Sequence, residues 1–181
     1  MTTPPQPSDV QQQPSEVGYE SSLRVIGRHF DLQGCRQVAI FETQGGFIAR
    51  AVVSDARAPV ALEFQAQELP ALLAQARSNR ESGVRTGIGS PLMPTGYEDC
   101  FRALGYALDD YYAAGVMLCE LRQVLVVTGV RRGEAGGTQT YVAFEEQLHT
   151  QDIEQLLNDA FARRSQTSGG GFFRRKQQQH R

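Results

Sequence analysis

The sequence predicts an α+β fold: two tandem αβββα repeats forming one pseudo-two-fold body, flanked by disordered tails. Self-similarity is the first observation behind this. The stretch from Tyr19 to Gly27, YESSLRVIG, returns as YEDCFRALG from Tyr97 to Gly105. At an offset of 78 residues, without gaps, eight of the 35 positions from 19 to 53 are identical. They are Tyr19/Tyr97, Glu20/Glu98, Arg24/Arg102, Gly27/Gly105, Asp31/Asp109, Val38/Val116, Glu42/Glu120 and Val52/Val130. A fixed period of this kind marks a duplication. The second observation is that hydrophobic periodicity changes in the same order in each copy, from helical to alternating and back. The third is that the hairpin strands are apolar on both faces, with Val38 and Ile40 on one side and Ala39 and Phe41 on the other. Such strands are buried on both faces. Two helices cover one face, so the other repeat or a second chain is expected to cover the rest.

Each element has its own justification. Tyr19, Leu23, Ile26 and Phe30 form one helical face, matched by Tyr97, Phe101, Leu104 and Leu108. Glu20 precedes Arg24, and Glu98 precedes Arg102, at the favourable i,i+4 spacing. Thr95-Gly96-Tyr97-Glu98 reads as a capping box. Gly27 and Gly105 lie inside these helices at a cost of about 1 kcal/mol against Ala, which suggests a close backbone neighbour. Strands follow at Gln37–Glu42, Phe47–Val53 and Val60–Gln65, with Gly45-Gly46 supplying positive φ in the hairpin turn. In the second copy they fall at Gly115–Leu121, Val124–Val130 and Thr140–Glu145, with Arg122-Gln123 at the turn and a polar loop from Arg131 to Gly137. Each copy ends in a helix, with faces Leu69, Leu72, Leu73, Ala76 and Ile153, Leu156, Leu157, Ala160, Phe161. Pro70 suits a first turn and Thr150 an N-cap.

The expected organisation is a disordered tail at 1–18, repeat 1 at 19–80, a linker at 81–96, repeat 2 at 97–164 and a disordered basic tail at 165–181. Residues 1–18 are rich in Pro, Gln and Ser and carry few large apolar groups, so ordering entropy wins. The start has neither the basic nor the apolar segment of a secretory signal, and no apolar run reaches the ~20 residues of a membrane span. These features predict a cytoplasmic protein with no membrane partner. The net charge of −2 is uneven. All 20 acidic residues precede Arg163, while Arg163, Arg164, Arg174, Arg175, Lys176 and Arg181 lie at the end.

Candidate chemistry is sparse. Cys35, Cys100 and Cys119 are far apart and unmatched between copies, which points to small buried residues rather than a metal or redox site. Glu42 and Glu120 are the only acidic pair retained at a strand end. Facing each other they would suit acid–base or metal chemistry; the alternative is a charge that deters edge pairing. For Asp31/Asp109 a helix-end role is expected. His29, His149 and His180 form no constellation, and Arg85-Thr86-Gly87-Ile88-Gly89-Ser90 lacks the glycines and lysine of a phosphate loop. No catalytic, cofactor or metal residue is therefore assigned, and no enzyme is expected. The residues that define the repeat are Tyr19, Arg24, Gly27, Glu42, Tyr97, Arg102, Gly105 and Glu120. Arg163, Arg164, Phe172, Phe173, Arg174, Arg175, Lys176 and Arg181 are candidate contacts for nucleic acid or a partner, since mixed cationic and aromatic segments bind phosphates and stack on bases.

The α-β-β-β-α order resembles the double-stranded-RNA-binding domain in topology. That family reads RNA through a Gly-Pro-x-His loop and a Lys-rich last helix. Here the turns are Gln44-Gly45-Gly46 and Arg122-Gln123, and the last helices open with Gln67-Glu68 and Gln151-Asp152, so no RNA-binding residue carries over. The helix-then-sheet pattern also resembles type III secretion chaperones, which implies a non-enzymatic pseudo-dimer that holds partner segments. The sequence reading is a binding or adaptor protein with a protein partner or self-association, and with nucleic-acid binding by the basic tail as its alternative.

Overall fold

A computed structural model describes residues 17–53, 59–81, 90–135 and 137–163. The described residues form a mixed α+β protein of four helices and a six-stranded antiparallel sheet. In order it runs α1 (Tyr19–Leu32), β1 (Cys35–Thr43), β2 (Gly46–Val53), β3 (Val60–Gln65), α2 (Leu69–Glu81), α3 (Tyr97–Asp110), β4 (Ala113–Leu121), β5 (Val124–Ala135), β6 (Thr138–Leu148) and α4 (Thr150–Arg163). The strand order is β3-β2-β1-β4-β5-β6. The first and second halves of the chain therefore meet at β1 and β4, which pair antiparallel through Ala39–Cys119, Ile40–Leu118 and Phe41–Met117.

All four helices contribute to a single core on one face of the sheet. Leu23, Ile26 and Phe30 of α1 meet Tyr97, Phe101, Leu104 and Leu108 of α3, above Val38, Ile40, Val116 and Leu118. Phe30, Tyr97 and Phe101 pack edge to face with centroids 5.3–6.2 Å apart, an arrangement that suits the ring quadrupoles. Leu92 and Met93, from the connection before α3, join this core.

The other face carries no helix among the described residues. The sequence expectation that the second half would cover it is corrected here. Pairing of β1 with β4 joins two three-stranded sheets edge to edge, and so puts both sets of helices on the same side. Phe41 (38% exposed), Ile48 (40%) and Leu121 (53%) remain open to solvent on the far side.

Four local expectations also change. The polar loop expected over Arg131–Gly137 is mostly ladder, because β5 and β6 stay paired as far as Ala135–Thr138 and Gly137 turns at φ 77°. Arg24 bonds Glu98 of the neighbouring helix at 3.3 Å rather than Glu20. Gly96, not Thr95, is the N-cap residue of α3, and the side-chain acceptor for the first N–H groups comes from elsewhere in the chain. Thr150 is the first helical residue of α4, not its cap; the His149 N–H donates to Asp152 at 2.9 Å.

Candidate functional site

Two regions merit scrutiny: the polar seam where the halves meet, and the open sheet face. The seam is built from the residues shared at the 78-residue offset. Asp31, near the C-terminal end of α1, accepts the Tyr97 and Glu98 N–H groups at 2.9 Å each. Asp109, near the end of α3, accepts the Tyr19 and Glu20 N–H groups at 2.8 and 3.0 Å. A helix N-terminus has unpaired N–H groups and a partial positive charge, so a carboxylate suits it. Each helix is thus capped by the far end of the other. Burial pushes both Asp carboxyls above the usual range, and the amide bonds pull them back.

This crossing demands close approach. A Cβ on Gly27 would lie 2.5 Å from the Tyr97 carbonyl oxygen, and one on Gly105 would lie 2.5 Å from the Glu20 Cα. Arg28 joins Arg24 on Glu98, at 3.0 Å, and Arg102 meets Asp99 at 3.3 Å.

Glu42 and Glu120 occupy the two ends of the β1–β4 seam. Glu120 lies one step past the Ala39–Cys119 pair, and Glu42 one step past Phe41–Met117 at the other end. Four strand residues, about 13 Å, separate them. They do not form a carboxylate pair, and neither stands on a sheet edge, because β1 and β4 are the two central strands. Each crosses the seam instead. Glu42 accepts the Tyr19 hydroxyl at 2.5 Å and the Val116 N–H at 2.7 Å. Glu120 accepts the Tyr97 hydroxyl at 2.5 Å and the Val38 N–H at 3.3 Å. The ladder shifts register between Arg36 and Ala39 and again between Ala114 and Met117. A bulge frees one amide from the ladder, and the carboxylate of the opposite strand takes it. The Ser90 hydroxyl also donates to Glu120. Burial, followed by the bonded glutamate, pushes the Tyr19 and Tyr97 hydroxyls far above their usual titration range.

Burial pushes the Cys100 thiol up to about 11, so it stays protonated and a poor nucleophile. His29 packs edge-on against Phe64 at 5.6 Å. Among the described residues no group of three or more His, Cys, Asp or Glu side chains could hold a metal, and no helix is long and apolar enough to cross a membrane. The recess lined by Ala103, Tyr106, Leu156, Asp159 and Arg163 has about 10 Å³ of room, against several hundred for a ligand site. Of the candidate cationic contacts, Arg163 ion-pairs with Asp110. Arg164, Phe172, Phe173, Arg174, Arg175, Lys176, Arg181, His180 and residues 85–89 lie outside the described residues.

The open face is the other candidate. Alternation along β1 and β4 places Ala39, Phe41, Met117, Cys119 and Leu121 on it, with Ile48 beside Phe41 and Val126 beside Cys119. Charged groups appear toward the wings, as Arg50, Glu63 and Glu145. No protein family, curated protein or solved structure matches this chain.

Proposed function

We propose that the chain is a tandem duplication folded about a pseudo-two-fold axis, and that it serves as a non-enzymatic binding or adaptor protein. Reciprocity supports the duplication. Ile40 and Leu118, 78 residues apart in sequence, pair with each other at the seam centre. The Asp caps, the glutamate–tyrosine bonds and the two helical glycines each recur with the halves exchanged. The positive φ values recur too, at Gly34 and Tyr112 and at Gln37 and Gly115.

Reciprocity also bears on function. Asp31, Asp109, Glu42 and Glu120 are spent on amides of the other half, and the two glutamates also on a tyrosine hydroxyl of their own, so their chemistry holds the body together. The open sheet face takes no part in that, and among the described residues it is the apolar surface left to meet another molecule, the observation that carries the reading. A contiguous apolar patch rimmed by polar groups marks a binding surface. The test is a photo-reactive side chain at Leu121, compared with one at Phe161 on α4, in extract of the source cells. Covalent adducts from Leu121 and none from Phe161 are expected. Equal adducts from both, or none from either, overturn the reading.

The basic end supplies a second reading, nucleic-acid binding, motivated by the placement of six cationic residues after an acidic body. It predicts a log–log salt slope of roughly −3 to −5. Undiminished oligonucleotide binding after deletion of 165–181 overturns it.

A further inference from the structure

Two rows cross the middle of the open face. One runs Ile48, Phe41, Met117, Thr128, and holds the large side chains. The next runs Arg50, Ala39, Cys119, Val126, and is shallow at its centre, where Ala39 and Cys119 face each other. The centre of the sheet is therefore a ridge of Phe41 and Met117 beside a hollow over Ala39 and Cys119. Farther along, Leu121 stands 53% exposed at one end of β4, while Gly115 at the other end has open space above it.

Rows on one strand face are about 6.8 Å apart along the strand. A two-fold axis in the sheet plane, perpendicular to the strands and between the two rows, carries each row onto the other. It would seat Phe41 of one copy over Ala39 of the next, Met117 over Cys119, and Leu121 over Gly115. An axis parallel to the strands would instead stack Phe41 on Met117 and leave the hollows facing each other. Either axis keeps the strands aligned, as packed sheets prefer, so the fit of ridge to hollow decides between them. The first sets Glu145 against Gln147 and Glu63 against Ala61, so these carboxylates do not meet.

Area points the same way. Six strands at about 4.8 Å spacing, six to twelve residues long and about nine on average, make a face of about 29 by 30 Å. That is roughly 900 Å², near the ~800 Å² per partner of a standard protein interface.

We propose that the open face packs on the same face of a second copy, ridge into hollow, to form a symmetric two-sheet dimer. The proposal rests on the reading of that face as a binding surface and names its occupant. It requires only that the sheet present its outer side, and it makes the second copy the cover that the both-face apolar strands demand.

The experiment is sedimentation equilibrium of the full-length chain up to ~100 μM. The expected mass is twice the 20.0 kDa of the chain. Phe41→Asp, on the exposed side of β1, should weaken association at least ~100-fold while the far-UV spectrum and melt stay native. Ala39→Phe fills the hollow and should weaken it at least ~10-fold. Adding Phe41→Ala to Ala39→Phe exchanges ridge and hollow and should restore the dimer. A dimer indifferent to Phe41→Asp overturns the proposal, and so does failure of the exchange to rescue. A monomeric wild type overturns it as well. In that case adducts from Leu121 to another protein leave the binding reading standing, and their absence removes both.

Discussion

Glu42 and Glu120 make the same two bonds in opposite halves, yet their surroundings differ. Both accept a tyrosine hydroxyl and the amide of a bulged valine across the seam. Glu120 is only 6% exposed and takes a third donor, Ser90, from the connection before α3. Glu42 is half-buried. The pair teaches which part of the contact both halves share and which, among the described residues, only one has. A substitution common to both should break the seam from either end, but unequally. Glu120→Leu orphans three buried donors, at about 1–3 kcal/mol for an unsatisfied group, and should cost ~3 kcal/mol or more. Glu42→Leu orphans the half-buried Tyr19 hydroxyl and the Val116 N–H, and, with water reaching the tyrosine end, should cost ~1–2 kcal/mol. Urea midpoints measure both. Equal losses would mean that burial and Ser90 add nothing.

Gly27 and Gly105 sharpen the comparison at the helix crossing. An ordinary exposed helical glycine gains about 1 kcal/mol when changed to Ala. Here the added carbon meets backbone of the other helix at 2.5 Å in both halves. Gly27→Ala and Gly105→Ala should each lower stability by ~1–3 kcal/mol. A higher midpoint for either would remove the close crossing.

The tyrosines separate the halves by pH. Their hydroxyls titrate above the usual value of 10.0 because burial and the bonded glutamate disfavour the phenolate. The folded state thus holds protons that the unfolded chain releases. Their contribution is present in full below the unfolded value and is lost as pH rises past it. Each should add a slope of up to ~1.4 kcal/mol per pH unit above pH 10. Tyr97→Phe should cost ~1 kcal/mol at neutral pH and remove one of the two slopes. An alkaline profile unchanged in both Tyr19→Phe and Tyr97→Phe would contradict the buried bonds.

Much of the element order was legible because periodicity and turn residues are local signals. Leu23, Ile26 and Phe30 mark α1 without reference to anything distant, and the backbone neighbour of Gly27 could be read from its recurrence as Gly105. Contacts that cross between halves were not legible in the same way. Asp31 reads as a local helix end, and only the fold shows that the end it serves belongs to α3. Its recurrence as Asp109 was the available signal. Ser90 offers no such signal, since its bond to Glu120 has no counterpart among the described residues. The open face misled for a related reason. Strands apolar on both sides announce that something must cover them, but pairing along β1 and β4 settled on which side the two sets of helices lie.

The smallest expected effects lie where one half has a glycine and the other does not. Gly34 and Tyr112 both adopt left-handed backbone, at φ 61° and 57°, just after α1 and α3. Gln37 and Gly115 do so at the bulges, at φ 51° and 60°. An L side chain in that region costs roughly 1–2 kcal/mol, and glycine offsets part of the relief through its greater freedom when unfolded. Tyr112 is 64% exposed, so removing its ring uncovers little. Its carbonyl accepts the Arg132 N–H at 2.9 Å, a bond that glycine keeps. Tyr112→Gly and Gln37→Gly should each raise stability by about 0.5–1 kcal/mol, and the double variant by close to the sum, since the two positions sit in different halves. Calorimetric melts measure the gain. A loss at Tyr112 would mean that its exposed ring contributes more than its strained backbone costs, and would mark the ring as the next group on this surface to test for a partner.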